Sequence, residues 1–475
     1  IWGILTNFTL LAVPLFIFMG VILDRSGIAE DLLETMGKLC GKLNGGLAIS
    51  VVIVGAMLAA TTGVVGATVV TMGIIALPTM LKHNYSPPLA SGTIAASGTL
   101  GQIIPPSIIL ILLGDVIGVP VGRLFVGSIL PGLLLVTFFV LYILIYAWHK
   151  PVIAPALNSK EYNSNHTSLL KTILPPFTLI LAVLGSIFLG IATPTESAAV
   201  GAIGALILAA CHKKLTLKNL EESMQQTTKL TSMVFMILIG ATAFGLVFRG
   251  MGGDKLVLDV MTNLPAGVWG FLFVSMLLIF ILGFFLDFLQ ICFIVVPILA
   301  PIATEFGIDL LWFAVLIAIN LQTSFLTPPF GFSLFYLKAV APPNVRIQDI
   351  YSGIIPFVIL QLITIMLLIF IPELISLIAK TDKINPITNE PVSPINILAG
   401  LKLNFRNANN EPTRVKERIA IWISLFNKKA IPKKIEAIVP KPPASPSIPS
   451  IKLYALVITT TTKIVKIREV HSGIS

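Results

Sequence analysis

Two stretches of this 475-residue chain place consecutive prolines inside apolar sequence, and they decide how the rest is interpreted. They read SGTLGQIIPPSII (97–109) and NLQTSFLTPPFGF (320–332). A proline inside a helix removes a backbone hydrogen bond and clashes with the preceding turn, at a cost of about 3 kcal/mol. Lipid makes this worse, because it offers the freed backbone groups no partner. Either these segments lie outside a membrane, or the interruption of the helix serves a function in the protein.

The composition indicates a membrane protein. Hydrophobic residues make up 56% of the chain and charged residues 11%, and the mean hydropathy is +0.95. Soluble domains carry about 25% charged residues. The apolar runs exceed the roughly 20 residues that a spanning helix needs, and the alternating ten-residue segments of a membrane barrel are absent. The sequence therefore predicts an all-α polytopic membrane protein.

The basic excess of the chain lies in its C-terminal part. Residues 1–379 contain 16 Lys/Arg and 16 Asp/Glu, whereas residues 380–475 contain 16 and 6. The net charge of +10 therefore belongs to a basic tail, and we expect no nucleic-acid partner for the membrane part. The tail contains a proline/serine linker (441–450) and a strand-like segment (451–470). An appended domain, a disordered tail and a mistranslated end all stay open.

An internal repeat relates the two halves at one constant offset, without a gap. Four prolines and one arginine recur in register; the pairs are Pro78 and Pro301, Pro105 and Pro328, Pro106 and Pro329, Pro120 and Pro343, and Arg123 and Arg346. We call this common separation in sequence, for example that from Pro78 to Pro301, the repeat offset. Displacing the apolar segments 172–192 and 196–211 by the repeat offset gives negative numbers. We therefore expect about fifty residues with two helices to precede residue 1.

The repeat sets the predicted organisation. Two long Gly/Thr-rich apolar stretches are each followed by a segment broken at Pro-Pro, and polar loops are predicted around 148–171 and 212–230. The predicted segments are a first repeat at 1–148 (hairpin 46–81, broken helix 87–119), a cytoplasmic loop at 149–171, a second repeat at 172–379 (hairpin 268–303, broken helix 310–341), and the tail at 380–475.

Loop charge gives the predicted orientation. If each hairpin enters and leaves on one side, thirteen basic residues of 1–379 collect on one side and three, Arg123, Arg249 and Lys255, on the other. The first side is then cytoplasmic. A complete repeat has an odd number of crossings, so the two repeats are inverted. Inverted repeats with paired broken helices are typical of secondary transporters.

Residues at the two breaks and the two hairpin tips form the candidate site. Hydroxyls, amides and bared carbonyls are hard oxygen ligands that suit a sodium ion, and half-helix ends add partial charges. We expect Asp287 to be the only acidic residue inside an apolar stretch of the membrane region, where burial of a charge is costly. The sodium and substrate candidates are Thr61, Thr62, Gly63, Gly66, Thr68, Ser97, Gly98, Thr99, Pro105, Pro106, Ser107, Asp287, Gln290, Asn320, Gln322, Thr323, Thr327, Pro328 and Pro329.

Structural alternatives stand beside these interpretations. A Pro-Pro break is also explained by a kink that neighbouring helices repair. Each Ser or Thr is also explained by interhelical hydrogen bonding, and Asp287 by a helix end that it caps. TPTE (193–196) fits a capping box better than a catalytic motif. GKLCGK (37–42) lacks the last residue of a phosphate loop, so no nucleotide site, cofactor or enzyme activity is expected. Cys40, Cys211 and Cys292 are not in metal-ligand spacing.

Several stretches resemble the large membrane subunit (DctM-like permease) of tripartite ATP-independent periplasmic (TRAP) transporters. They cover about residues 1–379 in order and are PLFIFMGVILDRSGIAEDLL (14–33), GGLAISVVIVGAMLAATTGVVGATVVTMG (45–73), GTIAASGTLGQIIPPSIILILLGD (92–115), GIATPTESAAVGA (190–202) and NLQTSFLTPPFGFSLFYLKAVAP (320–342). The tail from Thr381 onward does not resemble the family's usual end.

The resemblance implies a function and its partners. It implies a sodium-coupled symporter of the bacterial inner membrane that works as an elevator, with the hairpins and broken helices as the moving domain. It implies a small four-helix membrane subunit, a periplasmic solute-binding protein and an organic acid such as a dicarboxylate or keto acid. Two alternatives stay open: a sodium:anion carrier that needs no binding protein, and a channel or scaffold protein without coupled transport.

Overall fold

The computed structural model describes residues 6–62, 65–157 and 166–375, and all regular structure in these ranges is helical. Six of its helices are long and apolar enough to span a membrane, and a bent pair at 9–40 is a seventh candidate. The predicted all-α, multi-span fold class is confirmed. The basic tail, with its linker and its strand-like segment, lies outside the described residues from residue 376 onward.

The described part of the first half contains seven helices. A 3-10 turn (Thr9–Leu11) precedes α1, and a second one (Leu100–Gln102) extends α5. The helices are α1 (Ala12–Arg25), α2 (Ile28–Cys40), α3 (Gly46–Thr62), α4 (Val65–Lys82), α5 (Pro87–Thr99), α6 (Ile108–Ile117) and α7 (Val121–His149).

The described residues of the second half form nine helices, and six of them follow the first half at the repeat offset. The helices are α8 (His166–Phe188), α9 (Pro194–Cys211), α10 (Leu217–Gly250), α11 (Gly253–Thr262), α12 (Val268–Leu282), α13 (Phe288–Glu305), α14 (Leu310–Leu326), α15 (Phe332–Val340) and α16 (Ile347–Phe370). The ends of α4 fall on those of α13, and the other bounds from α11 to α16 agree within three residues when the 3-10 turn is counted with α5. The inverted orientation of the two halves stays a prediction.

Each long Gly/Thr-rich stretch forms two helices that pack against each other. Both arms of the first stretch, α3 and α4, contact α5, because Gly55 lies against Ser97 and Gly98 lies against Val69. In the second stretch the rings of Phe271, near the start of α12, and Phe306, just after α13, are 5.3 Å apart. Both stretches therefore turn back on themselves, although whether they re-enter the membrane stays a prediction.

The hairpins and the broken helices of the two halves interlock. Helix α4 packs on α15, where a Cβ atom at Gly66 would lie 3.0 Å from the ring of Tyr336 and one at Gly73 would lie 3.1 Å from Leu337. Helix α13 packs in the same way on α6. Each hairpin thus contacts the second part of the broken helix of the other half, which brings all four elements into one packed unit.

The structure corrects two expectations about the connections. The loop predicted at 149–171 is shorter, because α8 begins at His166. The loop predicted around 212–230 is mostly helix, because Thr216 caps the start of α10 by accepting a hydrogen bond from the Asn219 N–H. Polar residues without proline or glycine extend a helix beyond its apolar part as readily as they form a loop.

Two short helices, α2 and α11, were not predicted. Each follows a long helix after a glycine with positive φ, Gly27 (+74°) before α2 and Gly252 (+80°) before α11. Glycine adopts this conformation without the steric cost that other residues incur. The axes of α1 and α2 differ by 61°, so Gly27 marks a point at which the chain changes direction.

Candidate transport site

The first break separates α5 from α6 over residues 103–107. The Ser107 side chain does not cap α6; its hydroxyl donates instead to the Gln102 carbonyl at 2.9 Å. The first N–H groups of α6 therefore have no side-chain cap. An uncapped helix start carries a partial positive charge that favours anions.

The second break repeats this arrangement. Gly331, which precedes α15, has no side chain to cap the helix, and the Ser333 hydroxyl donates to the Phe325 carbonyl at 3.1 Å. Gln102 and Phe325 are equivalent positions by the repeat offset. In both breaks a serine from the second part of the helix thus bonds the equivalent carbonyl of the first part and leaves the helix start uncapped.

Each hairpin tip packs against the break of its own half through one small residue. A Cβ atom at Gly101, in the first break, would lie 3.0 Å from the Ala59 carbonyl oxygen. At the second break the glycine lies on the hairpin, and a Cβ atom at Gly283 would lie 2.6 Å from that of Ser324. Gly101 and Ser324 are equivalent by the repeat. The close contact between hairpin and broken helix therefore occurs in both halves, with the glycine on the broken helix in the first half and on the hairpin in the second.

Four of the candidate hydroxyls whose side chains the structure describes donate to carbonyls three or four residues earlier in the chain. The bonds run from Ser97 to Ile94 (3.0 Å), Thr99 to Ala96 (2.8 Å), Thr323 to Ile319 (2.8 Å) and Thr327 to Thr323 (2.7 Å). A hydroxyl whose proton is used in this way still presents oxygen lone pairs. These groups are suited to a cation rather than to an anion.

Two glutamine amides near the breaks have no hydrogen-bond partner. Gln102 and Gln322 are fully buried, and both amide atoms of each are unpaired. The 3-10 turn that ends at Gln102 contacts α14, which carries Gln322. An unpaired buried amide is costly, so this position favours a water molecule or a ligand as the partner.

Asp287 and Gln290 form a capping box at the start of α13, in which Gln290 Oε1 accepts from the Asp287 N–H at 3.2 Å. The structural alternative for Asp287 is therefore present in the molecule. It does not exclude a second role, because one carboxylate offers about four lone-pair sites.

The comparison with protein families decides the identity of the fold. A family model described as the DctM component of tripartite ATP-independent periplasmic transporters matches residues 1–374. The chain belongs to the DctM family. It is accordingly a multi-pass protein of the bacterial inner membrane, as predicted.

Named relatives cover most of the chain. A C4-dicarboxylate TRAP transporter large permease protein from Pseudomonas aeruginosa is 30% identical, over 77% of this chain and 85% of the relative. A sialic acid TRAP transporter permease from Haemophilus influenzae is 29% identical, over 78% of this chain and 60% of the relative. The crystal structure of the Alcanivorax borkumensis YdaH transporter has the same fold, with a TM-score of 0.58 at 15% identity, over 78% of this chain and 87% of that chain.

The remaining candidates of this DctM chain are placed as follows. Thr68 and Asn320 are buried, and Asn320 donates to the Met276 carbonyl at 2.7 Å, which ties α14 to the second hairpin. Pro105 and Pro106 are buried, whereas Pro328 and Pro329 are more accessible. Gly63 and the side chains of Thr61 and Thr62 lie outside the described residues.

Sequence reasoning missed two carboxylates of the DctM chain. Asp287 is not the sole acidic residue in the apolar segments, because Asp24 lies in α1 and Asp115 in α6. Asp24 accepts from the Thr71 hydroxyl at 2.7 Å, and Asp115 accepts from Asn7 Nδ2 at 2.9 and 3.0 Å. IILILLGDVI (108–117) contains the signal for Asp115, but partners 47 and 108 residues away are not visible in the sequence.

Two further predictions concern a capping motif outside this site and metal ligands. The TPTE segment forms the predicted capping box, with the Thr193 N–H donating to Glu196 at 2.8 Å and the Glu196 N–H donating to the Thr193 hydroxyl at 3.3 Å. Among the described residues no group of three or more His, Cys, Asp or Glu side chains is placed to hold a metal ion.

Proposed function

We propose that this chain is the large membrane subunit of a sodium-coupled TRAP symporter that imports an organic acid. A periplasmic binding protein delivers the acid, and a small membrane subunit completes the complex. The observation that carries the proposal is the interlocked unit of two hairpins and two helices broken at Pro-Pro, in a chain that belongs to the DctM family.

The two kinds of group at the breaks support co-transport of a cation and an anion. The hydroxyls of Ser97, Thr99 and Thr327 keep oxygen lone pairs for a sodium ion. The uncapped starts of α6 and α15 present N–H groups to an acid. Each break thus carries groups that suit a cation and groups that suit an anion, and an ion of one charge would stabilise the binding of the other.

The interlocking packing supports movement of this unit as one body. Helices α4 and α13 are held on the broken helices of the opposite half, so a hairpin cannot move far without them. Helices α1, α8, α9 and α10 would form the scaffold against which the unit slides. Gly27 and Gly252, which both have positive φ, lie in the chain between these scaffold helices and the hairpins.

The names of relatives define the acids for a first test. They specify C4-dicarboxylate, sialic acid and isethionate for different proteins, so the family alone does not select one of them. The binding protein would set much of the choice, since it presents the acid to the membrane part.

Uptake into proteoliposomes tests the proposal. The full chain and its small subunit are reconstituted, and uptake of each labelled acid is followed under an inward sodium gradient, with and without the cognate binding protein. A potassium gradient is the matched control. We expect uptake that needs both sodium and the binding protein. Uptake without the binding protein would instead indicate a simple sodium:anion carrier, and downhill flux without sodium a channel.

A further inference from the structure

Helix α1 is tied at both ends to the elements that carry the hairpins and breaks. Before its start, Asn7 Nδ2 donates to both carboxylate oxygens of Asp115 at 2.9 and 3.0 Å. Near its end, Asp24 accepts a hydrogen bond from the Thr71 hydroxyl at 2.7 Å. Asp115 lies on α6 and Thr71 lies on α4, so one bond reaches a broken helix and the other reaches a hairpin.

The other contacts of α1 place it in the scaffold. It packs most extensively on α9 and α10 and less extensively on α3 of the first hairpin, and Arg25 at its end forms an ion pair with Glu222 of α10. The Thr195 hydroxyl of α9 donates to the Phe8 carbonyl at 3.0 Å. The bonds to Asp115 and Thr71 therefore cross from the proposed scaffold to the proposed moving unit.

The second half lacks the equivalent bonds. At the repeat offset, Asp24 and Thr71 fall on Val247 and Ile294, which have no polar side chain. Ile294 lines a largely apolar cavity of about 210 Å³ between α10 and α13. Asp115 falls on Lys338, whose ammonium donates to the Val345 carbonyl near its own helix. The scaffold thus contacts the moving unit through polar bonds in the first half, whereas in the second half α10 packs on α13 beside a largely apolar cavity.

We propose that Asn7, Asp115, Asp24 and Thr71 form a latch that holds the moving unit in the position seen here. The inference rests on the proposed elevator. Alternating access moves one part of an inverted-repeat transporter as a rigid body against the other part, so polar bonds that join the two parts in one position favour that position. A hydrogen bond is lost once its atoms separate by about 1 Å beyond the usual 2.7–3.2 Å. Sliding of the unit along α1 therefore breaks both bonds together.

The coupling between the two ends is the testable property. In a chain without Cys40, Cys211 and Cys292, the pair Asn7→Cys and Asp115→Cys is joined by a short bis-methanethiosulfonate, and the crosslinking rate is measured. Thr71→Val then removes the hydroxyl at the other end, whereas Thr71→Ser keeps it. Loss of a hydrogen bond to a carboxylate should lower the rate about tenfold in Thr71→Val and leave Thr71→Ser within about twofold of the parent.

A reciprocal measurement covers the case in which Thr71→Val fails to fold. The reporter is then Asp24→Cys with Thr71→Cys, and Asn7→Asp breaks the first bond by placing two carboxylates together. Asn7→Asp keeps the acceptor for the Thr9 N–H, which Asn7 Oδ1 binds at 2.9 Å. Adding Asp115→Asn restores a hydrogen bond with its direction reversed, so we expect the crosslinking rate to fall in the single variant and recover in the double.

The latch would be overturned if the crosslinking rate of each cysteine pair were unaffected by the substitutions at the other end of α1. It would also be overturned if the cysteine pairs did not crosslink in the absence of those substitutions. Crosslinking requires neither cargo nor sodium. Failure of the latch and failure of sodium-coupled uptake are therefore separate results.

Discussion

Asp287 joins a structural role to a candidate functional one within a single side chain. As the first residue of the capping box it satisfies backbone groups at the start of α13, and it lies at the tip of the second hairpin. Asparagine caps a helix about as well as aspartate does, whereas alanine loses about 1 kcal/mol. The two substitutions therefore separate the cap from the charge.

We predict that Asp287→Asn folds with near-parental stability but needs about tenfold more sodium for half-maximal uptake, because the charge of the ligand set tunes cation affinity. Asp287→Ala should share this defect and also unfold at lower temperature. The measurement is the sodium dependence of uptake, with thermal unfolding in detergent alongside it. Full uptake and an unchanged sodium dependence in Asp287→Asn would show that Asp287 caps the helix and does not contribute to sodium binding.

The close approach of Gly283 to Ser324 gives a second prediction at the residue scale. A methyl group at position 283 would meet the Ser324 side chain, and overpacking of this kind costs about 1–3 kcal/mol. We expect Gly283→Ala to lower the unfolding temperature and the added Ser324→Gly to recover most of the loss, since the first half already has its glycine at Gly101. Gly185→Ala, which meets no atom within 4 Å, is the control. If the double variant unfolds at a temperature as low as that of Gly283→Ala, the glycine of this contact cannot be moved from the hairpin to the broken helix.

At the scale of elements, the capping box at the start of α9 separates structure from transport. Thr193→Ala removes the acceptor for the Glu196 N–H and should cost about 1 kcal/mol of stability. It should leave sodium-dependent uptake unchanged, because α9 belongs to the proposed scaffold. Thr193→Ser keeps the cap and is the matched control. A loss of uptake in a stable Thr193→Ala protein would instead assign this segment to the transport site.

The elements that the sequence predicted are those with a local signal. The breaks follow from Pro-Pro at 105–106 and 328–329, and the α9 cap follows from TPTE. Helices α2 and α11 were missed because they are 13 and 10 residues long and too short to be recognised as spans. The start of α10 was missed because its first turns are polar, and loop and helix share that composition.

The site was predictable in its position but not in its hydrogen bonds. The proline register located both breaks, yet it could not show that Ser107 and Ser333 donate to carbonyls of the preceding helix part. Nor could it show that the amides of Gln102 and Gln322 lack partners. Such details depend on contacts between distant segments, which a single sequence does not contain.

At the scale of the whole molecule, orientation in the membrane is the property on which the transport direction depends. Lys218, in the first turn of α10, and Lys255, just beyond its end, are both exposed, and α10 is long enough to span a membrane. The charge count, thirteen basic residues against three, places Lys218 in the cytoplasm and Lys255 outside. The accessibility of these two positions therefore tests the predicted orientation across a single helix.

We predict that a membrane-impermeant maleimide labels Lys255→Cys in intact spheroplasts and Lys218→Cys in inverted vesicles, each in a chain without the three native cysteines. Labelling after detergent treatment is the control for reactivity. The reverse pattern would invert the topology and with it the side from which each hairpin enters. Labelling of both positions from one side would mean that α10 does not cross, and the odd number of crossings that makes the two repeats inverted would be lost.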